Sequence, residues 1–145
     1  MRTEIQGRVV ENEDLVNLPN WLSLTFRIEN GEWFDLRAVT IHSYRQDLDL
    51  RRGVLSTAMN IEDAQGRRTA LVERRFVSMS DMHLGALQLA VKAENWSGRM
   101  TLRSAIDGRV VNAGAKLYRE FNNRHLRPID SEVIGDDAIL LRVRT

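Results

Sequence analysis

"LSLTFRIENGEWF", residues Leu22 to Phe34, is the stretch on which the fold turns. Leu22, Leu24, Phe26 and Ile28 alternate with Ser23, Thr25 and Arg27, the period of two that marks a strand buried on one face. Asn30-Gly31 follows at once. Asn-Gly supplies the two positive φ angles of a type I′ turn, so a tight hairpin is expected, with its second limb through Trp33, Phe34 and Leu36.

The same period recurs downstream. "LSTAMNIE" from Leu55 reads as a strand and "DAQG" as a turn. "RRTALVERRFVSM" reads as a long strand whose register is not assignable, because both its faces mix apolar residues with charge; this suits a strand passing between two sheet environments. Leu87, Leu89 and Val91 alternate with Gln88, Ala90 and Lys92. After "ENWSG", Met100, Leu102 and Ile106 alternate with Thr101 and Arg103, and these two strands are expected to pair antiparallel. Asp107-Gly108 is a further turn signal. Residues 113–137 form the one long irregular stretch, in which "AKLYREF" fits a single helical turn. In the closing "AILLRVRT", Ile139, Leu141 and Val143 point one way. Successive strands with short turns predict an all-β, antiparallel β-sandwich.

The 145 residues suit one domain with a proper core. With 43% apolar and 28% charged residues the chain is ordinary globular protein. There is no cysteine, hence no thiolate chemistry and no disulfide framework. "MRTEIQGRVV" lacks the apolar core of a signal peptide, and no apolar run approaches membrane-spanning length. A soluble, cytoplasmic protein without membrane partners is therefore expected. The net charge of +1 creates no field toward nucleic acid. Three arginine doublets, Arg51-Arg52, Arg67-Arg68 and Arg74-Arg75, have the chemistry to grip phosphate. They are interleaved with Glu62, Asp63 and Glu73 rather than with aromatic residues, so surface ion pairing is expected and no nucleic-acid partner.

Catalytic constellations are not evident. His42, His83 and His125 lie far apart, without carboxylates at ligand spacing, so neither a metal nor a cofactor is expected. There is no Gly-x-Ser-x-Gly elbow and no glycine-rich phosphate loop. Asp47 and Asp49 share one side of an extended segment. Glu11, Glu13 and Asp14, and later Asp136-Asp137, read as solvated edges or turns. Trp21, Trp33 and Trp96 fall near strand ends, where an indole either anchors packing or stacks on a sugar ring. Ahead of the first strand, "LVNLPNW" places Asn17, Pro19, Asn20 and Trp21. Proline has no N–H to give a ladder, and asparagine favours turns, so a structural corner explains the stretch.

"VVENEDLVNLPNWLSLTFRIENGEWFDL", "YRQDLDLRRGVL", "ERRFVSMSDMHLGAL" and "AENWSGRMTLRSAIDGRVVNAG" together resemble the N-terminal β domain of glycoside hydrolase family 65. That family holds mainly the maltose, trehalose and kojibiose phosphorylases, with some hydrolases. The similarity runs from about Gly7 to the last strand.

The resemblance implies a supersandwich of the galactose mutarotase type, followed in such enzymes by an (α/α)6 barrel. The barrel carries the general acid and the phosphate pocket, and inverts an α-glucosidic bond. On this reading residues 1–145 are a single partial domain, the catalytic barrel of the same polypeptide is the missing partner, and no catalytic residue maps here. The chain alone is expected to be inactive. Uncovered strand edges would favour a homo-oligomer. Asn17, Asn20, Trp21 and Trp96 are the residues that a substrate entrance or a sugar would meet. Two other readings stand beside it: a stand-alone carbohydrate-binding module using Trp21, Trp33 or Trp96, and a mutarotase-like epimerase with only three scattered histidines for acid and base work.

Overall fold

A computed structural model describes residues 2–11, 17–112 and 124–145. The described residues form strands joined by turns, with one 3₁₀ turn at Leu36–Ala38. In chain order the strands are β1 (Arg2–Ile5), β2 (Arg8–Glu11), β3 (Asn20–Ile28), β4 (Thr40–Asp49), β5 (Val54–Glu62), β6 (Arg68–Val77), β7 (Gly85–Ala93), β8 (Met100–Asp107), β9 (Arg127–Ile134) and β10 (Ala138–Arg144). They divide into a central unit, Leu24–Ser104, and a terminal unit, Met1–Ser23 with Ala105–Thr145. The protein is all-β, and its registered sheets are antiparallel.

In the central unit β4, β5, β6 and β7 run as a four-stranded antiparallel meander in sequence order. Its register settles the long strand. Thr69 and Leu71 of β6 face the same side as Ile61 and Met59 of β5 and Val91 of β7. Phe26 and Ile28 of β3 cover this end of the face, and Phe34, Trp96 and Met100 pack around them. This is the core of a two-layer sandwich: Phe26, Ile61 and Leu71 are each 3% exposed. Phe26 stacks on Phe34 with ring centres 5.0 Å apart. Farther along, the same face of β6 carries Glu73 and Arg75, joined by a 3.6 Å ion pair, so β6 does leave an apolar environment for a charged one.

Two sequence expectations are corrected here. Asn30-Gly31 does not make a type I′ hairpin. The positive φ falls on Glu29, at +54°, and residues 31–39 form no strand. A turn does close, with Gly31 N–H donating to the Ile28 carbonyl at 3.0 Å. It is shifted because Glu29 is held elsewhere: its N–H donates to the Arg99 carbonyl at 2.8 Å, and its Oε1 accepts from Arg99 N–H at 2.7 Å.

Nor do β7 and β8 pair. β7 lies against β6, and β8 joins β3. The connection between them is fastened over the β5–β6 turn: Asn95 Oδ1 accepts from Arg68 N–H at 2.6 Å, and Asn95 Nδ2 donates to the Gly66 carbonyl at 2.9 Å. Trp96 Nε1 donates to Thr69 Oγ1 at 3.0 Å. "ENWSG" is thus a crossover to the second layer, not a hairpin loop.

The terminal unit contains two hairpins. β1 and β2 meet at Gln6-Gly7, whose φ angles of +49° and +77° are those a type I′ turn requires. β9 and β10 pair around Gly135. β9 overturns the expectation of an irregular stretch as far as residue 137; the proposed helical turn at "AKLYREF" lies outside the described residues. Leu141 and Val143 share a side, and both approach Gly108 closely enough that a Cβ there would meet them at 3.0 and 3.3 Å. Among the described residues, no helix is long and apolar enough to cross a membrane.

Candidate functional site

Pro19 stands just before β3, where it withholds no ladder hydrogen bond. Asn20 Oδ1 accepts from Leu22 N–H at 3.0 Å, a turn closed by a side chain. Asn17 is tied to the segment after β8: its N–H donates to Asn112 Oδ1 at 3.2 Å, and its Nδ2 donates to the Val111 carbonyl at 3.2 Å. The corner expected of this stretch is therefore present over its described residues, Asn17 to Trp21. It frames a shallow hollow of about 400 Å³ between residues 17–22 and Val110-Val111. Trp21, 37% exposed, is part of its wall. Asn17 Oδ1 and Asn20 Nδ2 take no part in these bonds.

The structure brings Asn17, Asn20 and Trp21 together and gives Trp96 a different part. Its indole packs against the core of the central unit and donates to Thr69, which is 1% exposed. That is an anchor's position.

The acidic candidates are engaged as ion-pair or turn residues. Asp47 pairs with Arg45 at 2.6 Å, and the Arg45 hydrogen bond holds its carboxyl below the usual carboxylate range. Asp49 accepts from the N–H groups of Arg51 and Arg52 at 3.0 and 3.1 Å, closing the β4–β5 turn. Glu62 Oε2 meets Arg68 Nε at 2.8 Å and His42 Nε2 at 3.0 Å. The Arg68 bond first, then the His42 bond, lowers its pKa. For Asp63, burial pulls its pKa upward but hydrogen bonds from Arg67 and Gln65 outweigh it, and the net direction is down. Arg67, Arg68 and Arg75 of the doublets thus neutralise Asp63, Glu62 and Glu73, as the spacing predicted. Glu13 and Asp14 lie outside the described residues. Among the described residues no His, Asp and Glu side chains gather as a metal site.

One cluster escaped the sequence reading. In the central unit Trp33 has two arginines at its ring, with guanidinium carbons 5.0 Å (Arg27) and 4.2 Å (Arg103) from the ring centre. Trp33 and Arg27 also border a hollow of about 490 Å³, within the size range of small-molecule sites. Arg27 and Trp33 flank the Asn-Gly turn and were visible together, but Arg103 arrives from β8, and only the β3–β8 pairing brings it near.

Comparison with known proteins gives a consistent picture. The description "Glycosyl hydrolase family 65, N-terminal domain" matches residues 2–145. A protein of Mycobacterium tuberculosis H37Rv, described as an uncharacterized glycosyl hydrolase, is 48% identical over 141 residues, 97% of this chain and 11% of that protein. A kojibiose phosphorylase of Thermoanaerobacter brockii is 31% identical over 132 residues, 91% of this chain and 17% of that enzyme. An α,α-trehalose phosphorylase of the same organism is 29% identical over 110 residues, covering 73% of this chain and 14% of the enzyme. The chain thus spans between 11% and 17% of the length of the curated relatives it matches.

Proposed function

The chain belongs to the glycosyl hydrolase family 65 N-terminal domain family, and we propose from that membership that it is the non-catalytic scaffold of an enzyme that phosphorolyses or hydrolyses α-glucosidic disaccharides. The observation that carries this reading is the match over residues 2–145, in relatives several times longer that include kojibiose and trehalose phosphorylases. The scaffold works inside the cell, beside a catalytic barrel of the same polypeptide. The acidic groups fit this role, because Asp47, Glu62 and Asp63 are each committed to an arginine.

The test compares the 145-residue chain with the native gene product, sized by immunoblot. With kojibiose, trehalose and maltose, each with and without phosphate, the isolated chain should release no glucose and no glucose 1-phosphate. Turnover by the isolated chain would overturn the scaffold reading. A second reading, sugar binding at the Asn17–Trp21 hollow, is favoured by the exposure of Trp21 beside two part-free amides. In the same samples, saturable quenching of tryptophan emission by maltose or trehalose, lost in Trp21→Ala, would support that module; an unchanged emission would leave the corner as architecture.

The scaffold also self-associates on this reading. Among the described residues β4 and β7 bound the four-stranded sheet without a further strand. Tyr44, Leu48 and Val77 stand exposed on the core-side face, beyond the cover of Phe26 and Ile28. Long free edges and bare apolar area favour pairing with a like surface. Light scattering of the isolated chain should give a mass that rises with concentration above 16.7 kDa; a constant monomer mass would refute it.

A further inference from the structure

We propose that Arg27 and Arg103, held at the Trp33 indole, form a binding site for a phosphate-class dianion. The two guanidinium carbons lie 5.0 and 4.2 Å from one ring centre, which places them at most about 9 Å apart. That is about one Debye length of roughly 8–10 Å or less, so their repulsion is only partly screened. Other arginines of this region are neutralised: Arg37 by Asp35 at 2.9 Å and Arg67 by Asp63 at 2.6 Å. Arg27 and Arg103 form no ion pair among the described residues, and Arg27 Nε is buried without a hydrogen-bond partner.

Stacking on an indole holds a guanidinium in place while leaving its in-plane N–H groups free. Two such forks carry two uncompensated positive charges, and a doubly charged tetrahedral oxyanion answers that charge. The acids around the hollow that Arg27 and Trp33 border do not substitute for it. Asp35 and Asp63 are paired as described, and Glu29 is bonded to Arg99 N–H. Glu32, which also borders the hollow, is a single exposed carboxylate and opposes the anion. The site rests on this geometry and does not depend on which reaction the longer enzyme performs.

The test is a ¹⁵N–¹H NMR titration of the 145-residue chain with inorganic phosphate at constant ionic strength, with chloride as the control. The Trp33 indole N–H and the Arg103 side-chain N–H should shift saturably, with half-saturation on the order of 1–10 mM. The Trp96 indole N–H, bonded to Thr69, should stay fixed and report an intact core. Arg103→Gln should weaken binding about tenfold or more, and Glu32→Gln should strengthen it. A parallel titration with glucose 6-phosphate separates free phosphate from a sugar ester: tighter binding of the ester assigns the ester, equal or weaker binding assigns the free ion. The proposal is overturned if neither probe produces a saturable shift, or if Arg103→Gln, with the Trp96 signal unchanged, binds phosphate as well as the parent.

Discussion

Phe26→Ala should destabilise the protein by about 3–5 kcal/mol, the range for removing a large aromatic side chain from a packed core. Phe26 is 3% exposed and lies on Phe34 with ring planes 14° apart. It is also the residue through which β3 covers the meander, since Ile61, Leu71 and Ile28 form the same buried cluster. So few of the described residues are fully buried that the neighbours have little apolar material with which to refill the space. Against a total stability of about 5–15 kcal/mol for a typical domain, such a loss takes away a large share. In urea, where slopes are about 1–3 kcal/mol per molar, the midpoint should fall by at least roughly 1 M. Leu48→Ala is the control: Leu48 is 58% exposed on the same sheet, and its truncation should cost under about 0.5 kcal/mol. Equal losses for the two variants would mean that the Phe26 cluster is not the core.

Gly98→Ala should cost about 2–4 kcal/mol, from backbone strain and a broken clasp together. Gly98 has a φ of +157°, and a Cβ there would run into the Glu29 carboxylate. To make room, Glu29 Oε1 must leave the Arg99 N–H it holds at 2.7 Å, a bond joining residues seventy apart in sequence. A double-mutant cycle separates the two contributions. In a Glu29→Ala background the carboxylate is already gone, so adding Gly98→Ala should cost only the backbone part, and the two losses should sum to more than the double variant shows. Strict additivity, measured by urea midpoints, would show that the clash is not what makes this glycine necessary.

The elements that could be read from sequence are those whose two faces differ. β3, β5 and β7 alternate because one side meets the core of the central unit and the other does not; in β8 Met100 packs there, but Leu102 is 55% exposed. β4 could not be read: all ten of its residues are exposed, so "TIHSYRQDLD" records no inside and no outside. β9 was missed for the same reason, and because Pro128 and two acids make "RPIDSEVI" resemble a loop. Strand partners were harder still. Proximity in sequence favoured β7 with β8, and what carries β8 away is a set of side-chain bonds from Asn95 and Trp96 that no periodicity encodes. Among the candidate residues, Asn17 and Asn20 behave as turn chemistry predicts. The Arg27–Trp33–Arg103 cluster needed the β3–β8 pairing before it existed at all.

That pairing has a consequence in time. The β4–β7 meander is built from neighbours in sequence, and its hairpins close over a few residues each. The second layer closes only when Glu29 finds Arg99, around a loop that contains the whole meander. Loop closure must be completed before its contacts stabilise anything, so local hairpins form early and remote partners late. A nascent chain therefore carries the meander before the Glu29–Arg99 contact that fastens β3 over it can form. During that interval the meander is at its most exposed to other chains, and the arrival of residues 99–104 is the event that ends it.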